Sequence, residues 1–360
     1  MSTAQFLELD YTPRVPPKHD YGIGLVGAGG IVNDAHLPAY RKAGFRVLAI
    51  TDVNRAAAER TAARFEIPKV CESLDELLET PGIDIVDVAV PAAANPGIAA
   101  RVFAAGKDAL VQKPMAETAA EAAQMVEAAR RHKRKLAVNH QMRWAPSVRA
   151  AKDLLRRGWF GEVVDYSIQI RIQTNWDLWE WLKVHPYPEL TYHTIHYLDT
   201  SRAWFGEPER IYASLARYPG SACVGPTRSY LVLEYAGDLR GSILVNHHSV
   251  GTPDDFEARF VIEGTEGRCE GLIGLLLNYP VGRSDVITVS HRKHLPNGSL
   301  RMELEGRWFP DAFIGPMGSL MQAIAEDSQP ETSGQDVIGT MLLMEAAKQS
   351  SVIKQCVELR

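Results

Sequence analysis

The stretch YGIGLVGAGGIV at residues 21–32 decides the fold of this chain. Its short apolar run breaks into glycines where a helix is expected to open, which is typical of a buried strand followed by a tight turn. A second run, FRVLAITD at residues 45–52, ends on the acidic side chain of Asp52. Further runs, VDVAVP at residues 86–91 and DALVQKP at residues 108–114, alternate with helical segments. Continuously apolar strands that alternate with helices predict a parallel sheet covered on both faces.

The helices between these strands carry start signals. Asn54 precedes RAAAERTAARF, Ser73 is followed by Glu76, and Thr118 is followed by Glu121. A side-chain acceptor with a glutamate three residues later favours a capping box, so we expect helices to begin at these positions.

The pattern changes near residue 146. Runs such as EVVDYSIQIRIQ at residues 162–173 and SYLVLEYAG at residues 229–237 alternate between apolar and polar side chains, which favours an antiparallel sheet with one solvated face. A helical segment at residues 336–355 closes the chain. We therefore predict an α/β chain with an extended N-terminal arm (1–20), a doubly wound parallel Rossmann domain (21–146), and a C-terminal α/β domain with a large, mostly antiparallel sheet (147–360).

Composition excludes several classes of protein. The 360 residues include 39 basic and 44 acidic side chains, and the net charge of −5 lacks the positive field that attracts nucleic acid. No apolar run approaches the 18 or so residues of a membrane span, and the N-terminus has no signal-peptide pattern. The four cysteines lie far apart, without a C-x-x-C pair. We expect a soluble cytoplasmic protein with reduced thiols that binds neither nucleic acid nor membranes.

The glycine turn predicts dinucleotide binding. Gly27 permits a tight turn and Gly29 lets phosphates approach backbone amides at a helix start, although Val32 replaces the third glycine of the usual motif. Asp52 lies about 20 residues beyond the glycines, where a carboxylate hydrogen-bonds the adenosine ribose. The alternatives are a glycine turn without phosphate and a helix-capping aspartate. The expected cofactor contacts here are Gly27, Ala28, Gly29, Gly30, Ile31, Val32, Asp52, Val53 and Arg55.

Asp52 also favours NAD over NADP. A 2′-phosphate beside this carboxylate would be repelled by up to roughly 4 kcal/mol per charge pair at 4 Å and an effective dielectric constant of 20. Arg55 is close enough in sequence to soften the repulsion, so some use of NADP stays open.

The chain resembles the glucose-fructose oxidoreductase and inositol dehydrogenase family, Gfo/Idh/MocA, over nearly its whole length. The tripeptide Gln112-Lys113-Pro114 resembles the Glu-Lys-Pro of that family. Further matching stretches are GAGGIVNDAHLPAY, AAGKDALVQKPMAETAAEAAQMVEAA, NHQMRWAP, GWFGEV and IHYLDTSRAWFGEP.

The resemblance implies an NAD- or NADP-dependent oxidoreductase acting on a hydroxyl carbon of a sugar, inositol or related polyol. It also implies a homodimer or homotetramer that assembles through the C-terminal sheet. Gln112, Asn95 and Tyr192 depart from family positions that usually hold Glu, His and Asp. By family position, the remaining cofactor contacts are Val90, Pro91, Asn95, Gln112, Lys113, Gln141 and Arg143.

The resemblance also implies the catalytic residues. Lys113 is placed to meet the substrate oxygen, and partial burial or a cationic nicotinamide would lower its pKa toward the working range. His196 keeps the family histidine and is the leading proton acceptor, since imidazole titrates near neutral pH. Tyr192 lies four residues earlier and is expected on the same helical face. The alternatives are a solvated loop lysine, a packed histidine and a core tyrosine.

Three tryptophans at residues 176–181 suit a sugar, which presents C–H faces to aromatic rings. We expect Trp176 in the pocket, although packing between subunits explains the tryptophans equally well. His193 and His196 have the spacing of a metal pair, but no third ligand is apparent and no metal is expected. The expected substrate contacts are Lys113, Trp176, Tyr192, His193 and His196.

The sequence thus favours an NAD-dependent sugar or polyol dehydrogenase. Oxidation of an aldose at C1 to a lactone is preferred, with pentoses such as apiose or xylose among the substrates. Three alternatives stay open: a ring-hydroxyl or inositol dehydrogenase giving a ketone, a glycosidase or epimerase with an internal redox cycle, and a regulatory NAD-binding protein without turnover.

Overall fold

The computed structural model describes residues 7–359, which divide into two compact units. The first, the parallel-sheet unit, contains residues 13–141 and 309–341. The second, the mixed-sheet unit, contains residues 7–12, 142–308 and 342–359.

The parallel-sheet unit is built on six strands, and every strand pair in it is parallel. They are β1 (Gly22–Val26), β2 (Arg46–Thr51), β3 (Lys69–Val70), β4 (Ile83–Val88), β5 (Asp108–Gln112) and β6 (Leu136–Asn139). Their order, β3-β2-β1-β4-β5-β6, is that of a Rossmann fold. The predicted doubly wound sheet is confirmed.

Helices begin where the capping signals predict. The Asn54 side chain accepts a hydrogen bond from the N–H of Ala57, and Ser73 accepts one from Glu76. Thr118 and Glu121 form a complete capping box. The first helices are α1 (Leu37–Ala43), α2 (Arg55–Phe65), α3 (Leu74–Glu79), α4 (Asn95–Ala104) and α5 (Ala119–Arg131).

The mixed-sheet unit holds a nine-stranded sheet. Its strands are β7 (Val163–Arg171), β8 (Arg210–Ala216), β9 (Arg228–Glu234), β10 (Arg240–Asn246), β11 (Glu257–Gly264), β12 (Gly267–Leu272), β13 (Val286–His291), β14 (Ser299–Glu303) and β15 (Val357–Glu358). The order is β14-β13-β12-β11-β7-β10-β9-β8-β15, and β7 with β10 is the parallel pair. The large, mostly antiparallel sheet is therefore confirmed. Its helices are α6 (Pro146–Arg156), α7 (Glu180–Lys183) and α8 (Ile195–Phe205).

Two helices follow near the end of the chain, α9 (Ile314–Glu326) and α10 (Gly334–Ile353). The apolar side of α9 completes the core of the parallel-sheet unit, where Met317 and Leu320 lie with Leu25 and Ile85. The predicted division near residue 146 places everything after it in one domain. In the structure, residues 309–341 belong to the parallel-sheet unit, where they cover its sheet.

Part of the expected N-terminal arm, residues 1–6, lies outside the described residues. Farther along, the N–H of Asp10 donates to Asp153 Oδ2 at 3.0 Å, and the Tyr11 hydroxyl accepts from the N–H of Glu305 at 3.1 Å. Residues 7–12 thus pack on their own chain. Within residues 7–359, no helix is long and apolar enough to cross a membrane.

Candidate functional site

The glycine turn follows β1 in the parallel-sheet unit. Gly27 has φ +111°, and a Cβ there would lie 2.4 Å from the carbonyl oxygen of Ala89, so the position requires glycine. A Cβ on Gly29 would meet no atom within 4 Å, so this side of the turn is open. Val32 is fully buried in the core, and its expected contact with a cofactor stays a prediction.

A π-helical segment, Val32–His36, joins the turn to α1. The side-chain amide of Asn33 donates to the carbonyls of Ala28 and Gly29 at 3.0 and 3.1 Å. These bonds tie the turn to the helix start. Sequence reasoning missed Asn33, although an amide close behind a glycine turn is a signal that could have found it.

Asp52 lies beside the turn at the end of β2. Its two carboxylate oxygens accept the N–H groups of Ala28 and Asn54, each at 2.7 Å. Each oxygen keeps a further lone pair for a ligand. The Arg55 guanidinium binds Glu59 at 2.8 Å and also binds Glu72, so its charge is directed at two carboxylates.

These groups fit a dinucleotide. The open side at Gly29 suits a pyrophosphate, and the Asp52 carboxylate suits a ribose diol. Val90, which is half-buried, and Pro91, which is exposed, follow β4, so they can line such a ligand. The glycine turn and the Asp52 carboxylate are thus brought together.

Lys113 follows β5 directly and precedes a cis Lys113–Pro114 peptide bond. Its side chain is half-buried, and desolvation lowers its pKa to about 7. Asn95 holds the surrounding backbone, because its amide donates to the carbonyls of Gln112, Pro114 and Met115 at 3.2 Å each. Asn95 itself is fully buried, and its expected contact with a cofactor stays a prediction.

A buried polar network lies behind Lys113. His36 Nδ1 and the Tyr40 hydroxyl both lie 2.7 Å from Asp87 Oδ2. The side chains of Gln112 and Asn139 approach His36 Nε2 at 3.2 and 3.1 Å. Burial and the Asp87 charge raise the pKa of Tyr40. The network joins α1 to strands β4, β5 and β6, and sequence reasoning identified only Gln112 among its members.

The mixed-sheet unit holds the other expected catalytic residues. A second π-helical segment, Leu190–Thr194, leads into α8 and carries Tyr192 and His193. His196 lies in the first turn of α8, where its ring contacts Trp308 at 5.3 Å. The wider π turn changes the register expected from a regular helix, in which Tyr192 and His196 would share a face. Such turns often occur at functional sites.

Aromatic rings surround this segment. Trp176 is buried, with its ring 5.3 Å from that of His193 and 5.6 Å from that of His247. Tyr192 contacts the ring of Trp181 at 4.9 Å. The expected substrate residues Trp176, Tyr192 and His193 are therefore neighbours.

Glu189 lies beneath these rings and was missed from sequence. It is fully buried and accepts hydrogen bonds from the hydroxyls of Thr194 and Ser229. Burial raises its pKa to about 7. His247 Nε2 lies 3.8 Å from Glu189 Oε1, and burial lowers the pKa of His247 to about 3. The sequence offers little signal for this pair, because its members are distant along the chain.

The remaining expected positions are Gln141 and Arg143. Gln141 is buried in the parallel-sheet unit. Arg143 belongs to the mixed-sheet unit, where its guanidinium forms two 2.7 Å hydrogen bonds with the Asp199 carboxylate. Within residues 7–359, no group of three or more His, Cys, Asp or Glu side chains could hold a metal ion.

Comparison with known proteins finds chains of similar sequence and a solved structure of the same fold. The chain is 23% identical to 1,5-anhydro-D-fructose reductase of Ensifer adhaerens, over 93% of this chain and 98% of that protein. It is 24% identical to D-apiose dehydrogenase of Paraburkholderia graminis, over 93% and 89% of the two chains. The solved structure of levoglucosan dehydrogenase with NADH and levoglucosan has the same fold, with a TM-score of 0.81 at 20% identity over 94% of this chain and 99% of that one.

Two family models together match most of the chain. Residues 21–140 match the oxidoreductase family with an NAD-binding Rossmann fold, and residues 148–270 match the GFO/IDH/MocA C-terminal domain. The expected resemblance and the expected class of enzyme are both confirmed. The chain belongs to the Gfo/Idh/MocA family of oxidoreductases.

Proposed function

We propose that this protein is an NAD-dependent dehydrogenase that oxidises a hydroxyl carbon of a sugar or polyol. Oxidation of an aldose at C1 to a lactone is the preferred reaction, with pentoses such as apiose or xylose as first candidates. The observation that carries the proposal is Lys113, a half-buried amine with its pKa lowered to about 7 at the end of a strand in the nucleotide-binding sheet. Relatives named for sugar substrates, including D-apiose dehydrogenase, support the substrate class.

Each proposed residue has a chemical role. NAD, when bound, supplies the hydride acceptor. Lys113 in its neutral form accepts a hydrogen bond from the substrate hydroxyl, and His196 is a further acid-base residue. Tyr192 assists by hydrogen bonding, while Trp176 and His193 contact the sugar ring. The contact between Trp176 and His193 supports a shared subsite.

NAD is proposed as the physiological cofactor. The Asp52 carboxylate stands at the glycine turn, where it favours a ribose diol over a phosphate. The guanidinium of Arg55 is paired with Glu59 and Glu72, which reduces its electrostatic attraction for a 2′-phosphate.

Assembly through the C-terminal sheet is proposed as well. Tyr212 and Val232 are direct cross-strand neighbours on β8 and β9, and Tyr230 lies beside them on β9. These three side chains are 40 to 45% exposed, while the alternate residues Ile211 and Leu231 are buried. Such an apolar stripe suits burial against a second copy.

A spectrophotometric screen tests the proposed activity. The purified protein is offered aldoses, polyols and inositols with NAD or NADP, and NADH or NADPH is followed by absorbance. We expect accumulation of NADH with an aldose. An internal redox cycle would consume substrate without net NADH, whereas a regulatory protein would bind NAD and turn over none of these substrates.

A further inference from the structure

The protonation of His36 follows from its hydrogen bonds. Both His36 and Asp87 are fully buried, and the imidazole Nδ1 lies 2.7 Å from Asp87 Oδ2. The Tyr40 hydroxyl donates to the same carboxylate oxygen at 2.7 Å. A carboxylate that already accepts from Tyr40 favours a proton on Nδ1 of the imidazole.

The other ring nitrogen faces Gln112, whose orientation is fixed independently. The backbone N–H of Lys113 donates to Gln112 Oε1 at 2.8 Å, and a backbone N–H can only donate. The amide nitrogen of Gln112 therefore points at His36 Nε2, 3.2 Å away. Since an amide nitrogen does not accept, Nε2 must be the acceptor and carries no proton. The side chain of Asn139 lies 3.1 Å from the same nitrogen.

We propose that Gln112 is a positioning residue that holds His36 as a neutral imidazole protonated on Nδ1. The amide of Gln112 accepts from the Lys113 N–H and donates to His36, so one chain of hydrogen bonds joins the Lys113 peptide to the buried His36–Asp87 pair. A glutamate at position 112 could accept both from the Lys113 N–H and from an Nε2–H, and would thereby allow an imidazolium. The amide does not allow it.

The Asp87 carboxylate beside His36 would by itself favour an imidazolium, so the neutral ring depends on the amide of Gln112 at Nε2. Asp87 and Tyr40 are the titratable groups that hydrogen-bond or contact it, from β4 and α1. Gln112, Asn139 and the ring of Phe313, which lies 5.0 Å away, contribute no charge. In this arrangement the neutral His36 ring donates from Nδ1 to the buried Asp87 carboxylate, and the two do not form an ion pair.

Nitrogen-15 NMR of histidine-labelled protein tests this directly. The His36 signals are assigned by their loss in His36→Gln. In the wild type near pH 7 we expect one protonated and one bare ring nitrogen, with the proton on Nδ1. In Gln112→Glu we expect both nitrogens to be protonated. Gln322→Glu, the same change at an exposed position on α9, is the matched control and should leave the His36 signals unchanged.

Two results would overturn the proposal: an imidazolium or an Nε2-protonated ring in the wild type, or a His36 that stays neutral in Gln112→Glu. Should that variant not fold, Asn139→Asp gives a second test: it keeps the amide of Gln112 at His36 Nε2, so its ring should stay neutral as in the wild type. The wild-type spectrum decides the proposal even if both variants fail to fold.

The functional part of this inference rests on the proposed dehydrogenase activity. Gln112→Glu should add a second ionisation to the pH profile of kcat/KM, which Gln322→Glu should not. If no sugar is turned over by any of the three proteins, the proposed function fails while the NMR result on the protonation of His36 still stands.

Discussion

At the scale of single residues, Lys113 determines the expected pH dependence. Its pKa is lowered to about 7 by desolvation, so the amine is protonated below pH 7 and neutral above it. Because the neutral amine is the form that accepts a hydrogen bond from the substrate hydroxyl, kcat/KM for oxidation should rise with pH through about 7. Lys113→Met should lower kcat by roughly 10²-fold or more. Steady-state rates between pH 5.5 and 9 check both, and a profile that is flat through pH 7 would contradict the assignment.

The same lysine should reduce stability. In the unfolded chain a lysine has a pKa of about 10.4, whereas Lys113 in the folded protein has a pKa of about 7. Between these values the unfolded state binds more protons, so this destabilisation is complete below pH 7 and is relieved as pH rises toward about 10.

Lys113→Met should therefore melt at a higher temperature than the wild type at pH 7, by a margin that shrinks at higher pH. Lys293→Met, at an exposed lysine, is the control and should change little. Thermal melts of the three proteins at pH 7 and pH 9 check this, and a destabilised Lys113→Met would refute it.

Asp52 should set the preference for NAD. Asp52→Asn removes the charge that repels a 2′-phosphate, so the ratio of kcat/KM with NADP to that with NAD should rise by about tenfold or more. Asp75→Asn removes an exposed charge elsewhere in the same unit and serves as the control. An unchanged ratio in Asp52→Asn would place the carboxylate away from the ribose.

At the scale of elements, two glycines of the same turn should have different roles: Gly27 is needed for folding and Gly29 for NAD binding. Gly27→Ala should destabilise the protein, because its Cβ would lie 2.4 Å from a carbonyl oxygen and its φ of +111° disfavours a side chain. Gly29→Ala meets no neighbouring atom, so it should fold normally. Its methyl group would project into the open side of the turn and weaken NAD binding.

Thermal melts and titration calorimetry with NAD compare the two glycine variants. Loss of stability in Gly27→Ala with wild-type stability and weaker NAD binding in Gly29→Ala is the expected pair of results. Wild-type affinity in Gly29→Ala would mean that the phosphates bind elsewhere.

Sequence patterns predicted the elements better than the site. The strands and the caps at Asn54 and Thr118 depend on local chemistry, so they can be read from neighbouring residues. The π-helical segments were not predicted, because π turns are rare and occur as single turns within ordinary helices. The network of His36, Asp87 and Gln112 was likewise hidden, since its members come from elements far apart in sequence.

At the scale of the whole molecule, local periodicity does not say which sheet a helix covers. The apolar pattern of α9 predicts a helix, but its contact with the parallel-sheet core depends on tertiary packing, which the local pattern does not specify. A division of the chain inferred from pattern changes therefore misses a segment that returns to the first unit. The family could be identified from sequence, because the glycine turn, the Gln-Lys-Pro tripeptide and the further matching stretches together cover nearly the whole chain.

Assembly of subunits is also a property of the whole molecule. If the apolar stripe of Tyr212, Tyr230 and Val232 is buried between copies, then Tyr230→Lys with Val232→Lys would place two charges in that interface. The mass in solution, measured by light scattering after size exclusion, should fall from that of a dimer or tetramer to that of a smaller species. Ala63→Lys, on the exposed side of α2, should keep the wild-type mass. If the double variant keeps its mass as well, the subunits assemble through another surface, and a monomeric wild type would remove the interface altogether.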